Sequence, residues 1–121
     1  MTYTLYLEIP YIPTRLNVFL RMHFHRRNKI NKEIYSMVNL ACTGKKPISP
    51  LDKYHLAIER HSSQTLDWDN CVASYKGVVD GLCHARVLLD DRYDMSGPWD
   101  VTQHFRPKKQ GPLTIIRVLE K

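Results

Sequence analysis

Cysteine is scarce in this chain: Cys42, Cys71 and Cys83 are the only three among 121 residues, and no C-x-x-C pair occurs. An odd, unpaired set argues against a disulfide scaffold and fits buried thiols in a reducing compartment. The five glycines form neither a P-loop nor a dinucleotide fingerprint, which argues against a nucleotide-hydrolysing motor. No apolar run approaches the ~18 residues of a membrane span, and no basic leader precedes an uninterrupted hydrophobic stretch. The expectation is an intracellular, cytoplasmic protein. His55, His61, Cys71, Cys83 and His84 can be drawn together as zinc ligands, but their spacing matches no standard pattern.

Acidic residues are nearly missing from the first half. Residues 1–50 carry eight Lys or Arg against Glu8 and Glu33, whereas residues 51–121 carry ten of each sign, so the whole net charge of +6 lies in the first half. Such a balance favours an anionic partner, although a solvated basic face gives the same count. The length bounds the chain to one domain, residues 1–121, with one modest core, and the expectation is that a partner chain completes it.

Alternation over Thr2–Ile9 predicts a strand ended by Pro10 and Pro13. Ile30, Ile34, Met37, Val38 and Ala41 recur at helical spacing, which predicts a helix over residues 28–42 with Asn28 or Asn31 as cap. Pro47 and Pro50 mark a loop, and Tyr54, Leu56 and Ile58 restore a strand over 53–60. A second helix is expected from Asn70 to about His84, with Asp69 or Asn70 as cap. Residues 99–106 and 113–119 are expected to close the fold as a hairpin.

Six acidic residues fall between positions 67 and 94, and they include Asp67-Trp68-Asp69-Asn70, Asp80 and Asp90-Asp91. On an extended segment, Asp67 and Asp69 share one side while Trp68 points into the core. Carboxylate oxygens suit Mg²⁺, which takes one or two carboxylates plus phosphate oxygens. At about 100° per residue, Lys76 projects about 20° from Asp69 and Asp80 about 40° from Lys76, so the three align along one helix edge. The plainer reading of Lys76 and Asp80 is an i,i+4 surface ion pair. Of Asp90 and Asp91, neighbours on an extended chain, one is expected to join the pair.

Asp67-x-Asp69-Asn70, Lys76, Asp80-Gly81-Leu82 and Asp90-Asp91 resemble the signature of RusA-type Holliday junction resolvases. The likeness extends over the opening strand, Pro13, Asn17 and the basic stretch with Arg21, His23, Arg26 and Arg27. The interval from Asn70 to Lys76 is about one helical turn longer than in the best-known bacterial form and is similar to that of phage-type relatives. The resemblance implies an α+β domain, a small mixed sheet with two main helices packed on it, in a homodimer. It also implies Mg²⁺-dependent cleavage of four-way DNA junctions in recombination and repair, in a family common in bacteriophages and prophages. By motif, Asp67, Asp69, Asp91 and Lys76 are catalytic, and the same aspartates bind metal, with Asp90 as an alternative ligand and Mn²⁺ as an alternative ion. Asn70 and Asp80 support them.

On that expectation Lys76 stabilises developing charge on the phosphate. Arg21, His23, Arg26, Arg27, Lys29 and Lys32 hold backbone phosphates, so binding falls steeply with salt. His25 is a further phosphate contact or an ordinary turn residue. Paired symmetric nicks require a two-fold dimer. Two other classes stay open: a non-catalytic DNA-binding module, and a metal-dependent nuclease acting on other branched or linear DNA.

Overall fold

Strand-period alternation and helix-period stripes divide the chain into an α+β domain. The computed structural model describes residues 2–121. In chain order the elements are β1 (Thr4–Ile9), α1 (Leu16–Arg21), α2 (Phe24–Ala41), β2 (Tyr54–Ser62), α3 (Trp68–Ser74), α4 (Lys76–His84), α5 (Tyr93–Ser96), β3 (Asp100–Phe105) and β4 (Leu113–Glu120), with a 3₁₀ turn at Lys108–Gln110. Among the described residues no helix is long and apolar enough to cross a membrane.

The four strands form one mixed sheet in the order β1-β4-β2-β3. β4 is antiparallel to both neighbours, while β2 and β3 run parallel with His61 opposite His104. The expected closing hairpin is therefore not formed: β3 and β4 flank β2 on opposite sides. The connection 106–112 crosses the end of β2, a step of two strand spacings or about 10 Å that seven residues span easily. Arg106 N–H holds this crossover by donating to Ser62 O at 3.1 Å.

One sheet face carries Leu5, Leu7, Ile9, Tyr54, Leu56, Ile58, Ile116 and Val118, all buried against Ile34 and Val38 of α2 and Val78, Val79 and Leu82 of α4. Each such side chain contributes roughly 1.5–3 kcal/mol when fully buried, so this layer dominates stability. The two helices approach closely at Gly81, where an added Cβ would lie 3.2 Å from Val38 Cβ and Cγ2. The opposite sheet face carries Tyr6, Glu8, Arg117, Glu59, His61 and His104, and its polar groups pair with one another instead of packing under a helix.

Two helix expectations need correction. The first long helix starts at Phe24, not near Asn28, because His23 caps it by accepting the His25 N–H at 3.3 Å. The second starts at Trp68 and breaks at Tyr75, whose backbone (φ −87°, ψ 0°) separates α3 from α4. Burial draws Tyr75 inward: it is 0% exposed and its hydroxyl lies 2.9 Å from Thr114 Oγ1. Thr114 donates its own hydroxyl proton to Tyr11 O at 2.6 Å, so Tyr75 is the donor to Thr114. The short α1, with no buried residue, had no counterpart in the sequence pattern.

Candidate functional site

The acidic residues are carried on element ends. Asp67 is the N-cap of α3 in extended conformation (φ −57°, ψ 145°), yet its side chain makes no capping hydrogen bond. Asp69 lies in the first turn of α3, where its Oδ1 accepts the Asn70 N–H at 3.0 Å. Both carboxylates are exposed, and both sit where the helix dipole favours negative charge. The extended pairing expected for Asp67 and Asp69 is overturned, because the chain turns helical at Trp68 and the period changes from 2 to 3.6. Trp68 accordingly does not enter the core but stands 67% exposed.

Lys76 begins α4, immediately past the Tyr75 break. Its ammonium donates to Asp80 Oδ1 at 2.7 Å and to Asp91 Oδ2, which joins residues fifteen positions apart. Partial burial acts to lower the Lys76 pKa, but the hydrogen bonds it donates to Asp80 and Asp91 outweigh this and hold the ammonium charged well above its usual range. Asp91 is held below the usual carboxylate range, chiefly by the hydrogen bond from Lys76, against an opposing contribution from burial. The continuous helix edge expected from Asp69 through Lys76 is interrupted at Tyr75, whereas the i,i+4 pair Lys76–Asp80 is formed.

Asp91 is positioned by backbone contacts. Arg86 takes φ 67° past the end of α4, and the N–H groups of Arg86 and Val87 return to Cys83 O and Leu82 O at 3.1 and 3.0 Å. This closes the helix in a Schellman motif and turns the chain back into the core. Leu51 then pairs with Leu88, accepting from Leu89 N–H at 2.9 Å, and Tyr54 donates its hydroxyl to Asp90 O at 2.7 Å. Asp90 and Asp91 diverge as expected of neighbours. Asp91 meets Lys76, while Asp90 Oδ1 accepts the Asp91 N–H at 2.8 Å and Oδ2 lies 4.0 Å from Arg92 Nε.

Trp68 and Asp91 line one shallow depression together with Val72, Tyr93 and Trp99. The segment holding Asp67 and Asp69 thus borders the one holding Asp91. The carboxylates of Asp67, Asp69 and Asp91 do not gather within 4.8 Å; among the described residues only Glu59, His61 and His104 do so. That second group lies on the bare sheet face, where Arg117 also pairs with Glu59. The alternation of β2 puts Glu59 and His61 on one face, but His104 joins them only through the β2–β3 register, which local pattern does not reveal.

The proposed phosphate-binding side chains occupy α1, α2 and their junction. Arg21, His23, Arg26, Lys29 and Lys32 are exposed and Arg27 is half-buried. His23 stacks near Phe24 and His25, with centroids 4.6 and 5.0 Å away. A cleft of about 240 Å³ runs between these helices and the start of α4, lined by Phe19, Leu20, Ile30, Asn31, Lys76 and Asp80. α1 and α2 and the lysine of the acidic site therefore face one cleft, but none of those six basic side chains lines it.

A comparison with protein-family models gives no match, and a search of the curated proteins gives none either.

Proposed function

We propose that this chain is a Mg²⁺-dependent, structure-selective endonuclease of the RusA type that acts on four-way DNA junctions as a homodimer. One observation carries the reading: Lys76 contacts Asp91 across fifteen positions of sequence, beside the helix start that bears Asp67 and Asp69. An all-oxygen donor set of carboxylates fits a hard cation, and among the described residues the exposed Asp67 and Asp69 make no ion pair that would compete with it, while Asp91 is paired with Lys76. When bound, Mg²⁺ or Mn²⁺ would be held by Asp67, Asp69 and Asp91 and would polarise the scissile phosphate.

The chain's own residues account for the rest. Asp80 orients the Lys76 ammonium, which is placed to stabilise charge developing on a phosphate oxygen. The cations of α1 and α2 hold the strand by its backbone, which gives salt-sensitive binding with little base reading. Two copies related by a two-fold axis would present two such sites to the paired strands of a junction.

The test is incubation of the protein with an end-labelled synthetic junction and a matched linear duplex, with Mg²⁺ or with chelator. Paired symmetric nicks confined to the junction and to Mg²⁺ support the reading, whereas cleavage of linear duplex reassigns the chain to a broader nuclease. A non-catalytic DNA-binding module is the second reading, and the ion pairs that already engage Asp80 and Asp91 with Lys76 favour it. Binding without cleavage in either ion selects it.

A further inference from the structure

The crossover 106–112 covers the end of β2, and beneath it lies Arg60, only 4% exposed. Arg60 belongs to the core-facing positions of β2, yet it joins none of the ion pairs among the described residues. Its Nε and Nη1 have no hydrogen-bond partner. The interior offers it no counter-charge, since burial pushes the Tyr75 phenol up to about 12 and raises the Cys71 thiol, keeping both neutral. A guanidinium cannot discard its charge, so a buried arginine without a carboxylate is costly unless an anion reaches it.

Arg60 lines a pocket of about 290 Å³ together with Ser62, Ser63, Gln64, Arg106 and Lys108, and no acidic residue lines it. Arg106 braces the wall by donating to Gly111 O at 2.8 Å and Gln110 O at 3.3 Å. Ser62 Oγ accepts the Gln64 N–H at 3.2 Å, which leaves its own hydroxyl proton free to donate. Arg15 reaches the same loop, donating to Gln64 Oε1 at 3.2 Å. Guanidinium, ammonium and hydroxyl donors around one concavity match the anionic acceptor oxygens of a phosphate group.

We infer that this pocket binds a phosphate group, with Arg60 as its floor, Lys108 at its rim and the Ser62 hydroxyl as a further donor. The phosphate is taken to be one of a nucleic-acid backbone, an assignment that rests on the proposed function; the pocket itself does not. Gln64 and Asp67 are three residues apart, at most about 11 Å of chain, so a strand lying across the acidic site would also reach the pocket.

The test uses the full chain in chelator, titrated with inorganic phosphate against chloride at matched ionic strength while the melting temperature is followed. Wild type should be stabilised saturably. Lys108→Ala, an exposed substitution, should melt unchanged without phosphate and need at least fivefold more of it, and Arg60→Lys, if folded, should behave likewise. Absence of stabilisation, or equal stabilisation of wild type and Lys108→Ala, overturns the pocket. Junction binding in chelator separates the sources: Lys108→Ala should weaken it and reduce its salt slope by about one. Unchanged junction binding beside weakened phosphate binding overturns the backbone assignment in favour of free phosphate. Asp69→Asn should leave the phosphate titration intact, so cleavage surviving in Asp69→Asn would defeat the acidic site without touching the pocket.

Discussion

The two groups of charged side chains on the sheet face and beside the helices differ in what holds them. On the bare sheet face, Glu59 sits in the middle of β2 and is shared by His61 at 2.9 Å, His104 at 3.8 Å and Arg117, with only 21% of its side chain exposed. Beside the helices, Asp67, Asp69, Lys76 and Asp91 stand on a cap, a first turn, a helix start and a loop. The Lys76 side chain is 57% exposed, so solvent reaches the ammonium and its ion pairs. Mid-strand placement ties a charge to neighbours that cannot move without breaking the sheet. Placement at element ends leaves Asp67 and Asp69 exposed, whereas Asp91, paired with Lys76, is as covered as Glu59.

The largest expected effect lies at the helix ends. Asp69→Asn should lower junction cleavage by a factor of at least about 10³ while leaving binding in chelator intact, since it removes a candidate ligand and a charge that repels phosphate. Cleavage at the wild-type rate would remove Asp69 from the site. Lys76→Ala should cost about 10²-fold in single-turnover rate, the scale of one electrostatic donor to a transition state, yet under about 1 kcal/mol of stability because the pair is exposed. Comparable losses in rate and in melting would assign Lys76 a structural role instead. Glu59→Gln, in contrast, should leave cleavage unchanged.

Stability measurements sharpen the same contrast. Gly81→Ala should destabilise by about 1–3 kcal/mol in urea unfolding, because the added methyl meets Val38 on a facing helix. The acid limb follows from two depressed carboxyls. Glu59 is lowered first by the hydrogen bond from His61, and Asp91 first by that from Lys76. A carboxyl whose folded pKa is depressed stabilises fully above its unfolded value and loses that contribution as pH falls through the folded one. Glu59→Gln and Asp91→Asn should therefore each lower stability near neutrality and flatten its loss below about pH 4.5, converging on wild type in acid, but only Asp91→Asn should also abolish cleavage.

Much of this was readable residue by residue. Alternation located β1, β2 and β4 because each has one buried face, and the stripe Ile30–Ala41 located α2. The sheet order was not readable: sequence adjacency suggested a hairpin for β3 and β4, and nothing local says that β2 lies between them. The break at Tyr75 escaped because Val72, Tyr75 and Val79 keep helical spacing across it, while the contact made there, with Thr114, lies 39 positions away. Within the candidate site, chemistry was legible and orientation was not. Pairing Asp67 with Asp69 assumed a strand where the chain had already become a helix, and that assumption also misplaced Trp68. The buried Arg60 left no signal, since a single arginine in an alternating strand reads as a surface residue until its register is known.

The central position of β4 has a kinetic consequence. It joins β1 to β2, yet it is the last of the four strands to be synthesised. Until residues 113–120 leave the ribosome, β1 has no strand to pair with, and β2 has only β3. Assembly of the sheet therefore waits for β4 and is governed by contacts between segments far apart in sequence, such as Thr4 with Leu119. Slow, all-or-none folding is the expected outcome of such high contact order, and a nascent chain arrested before Leu113 would expose two strand edges at once.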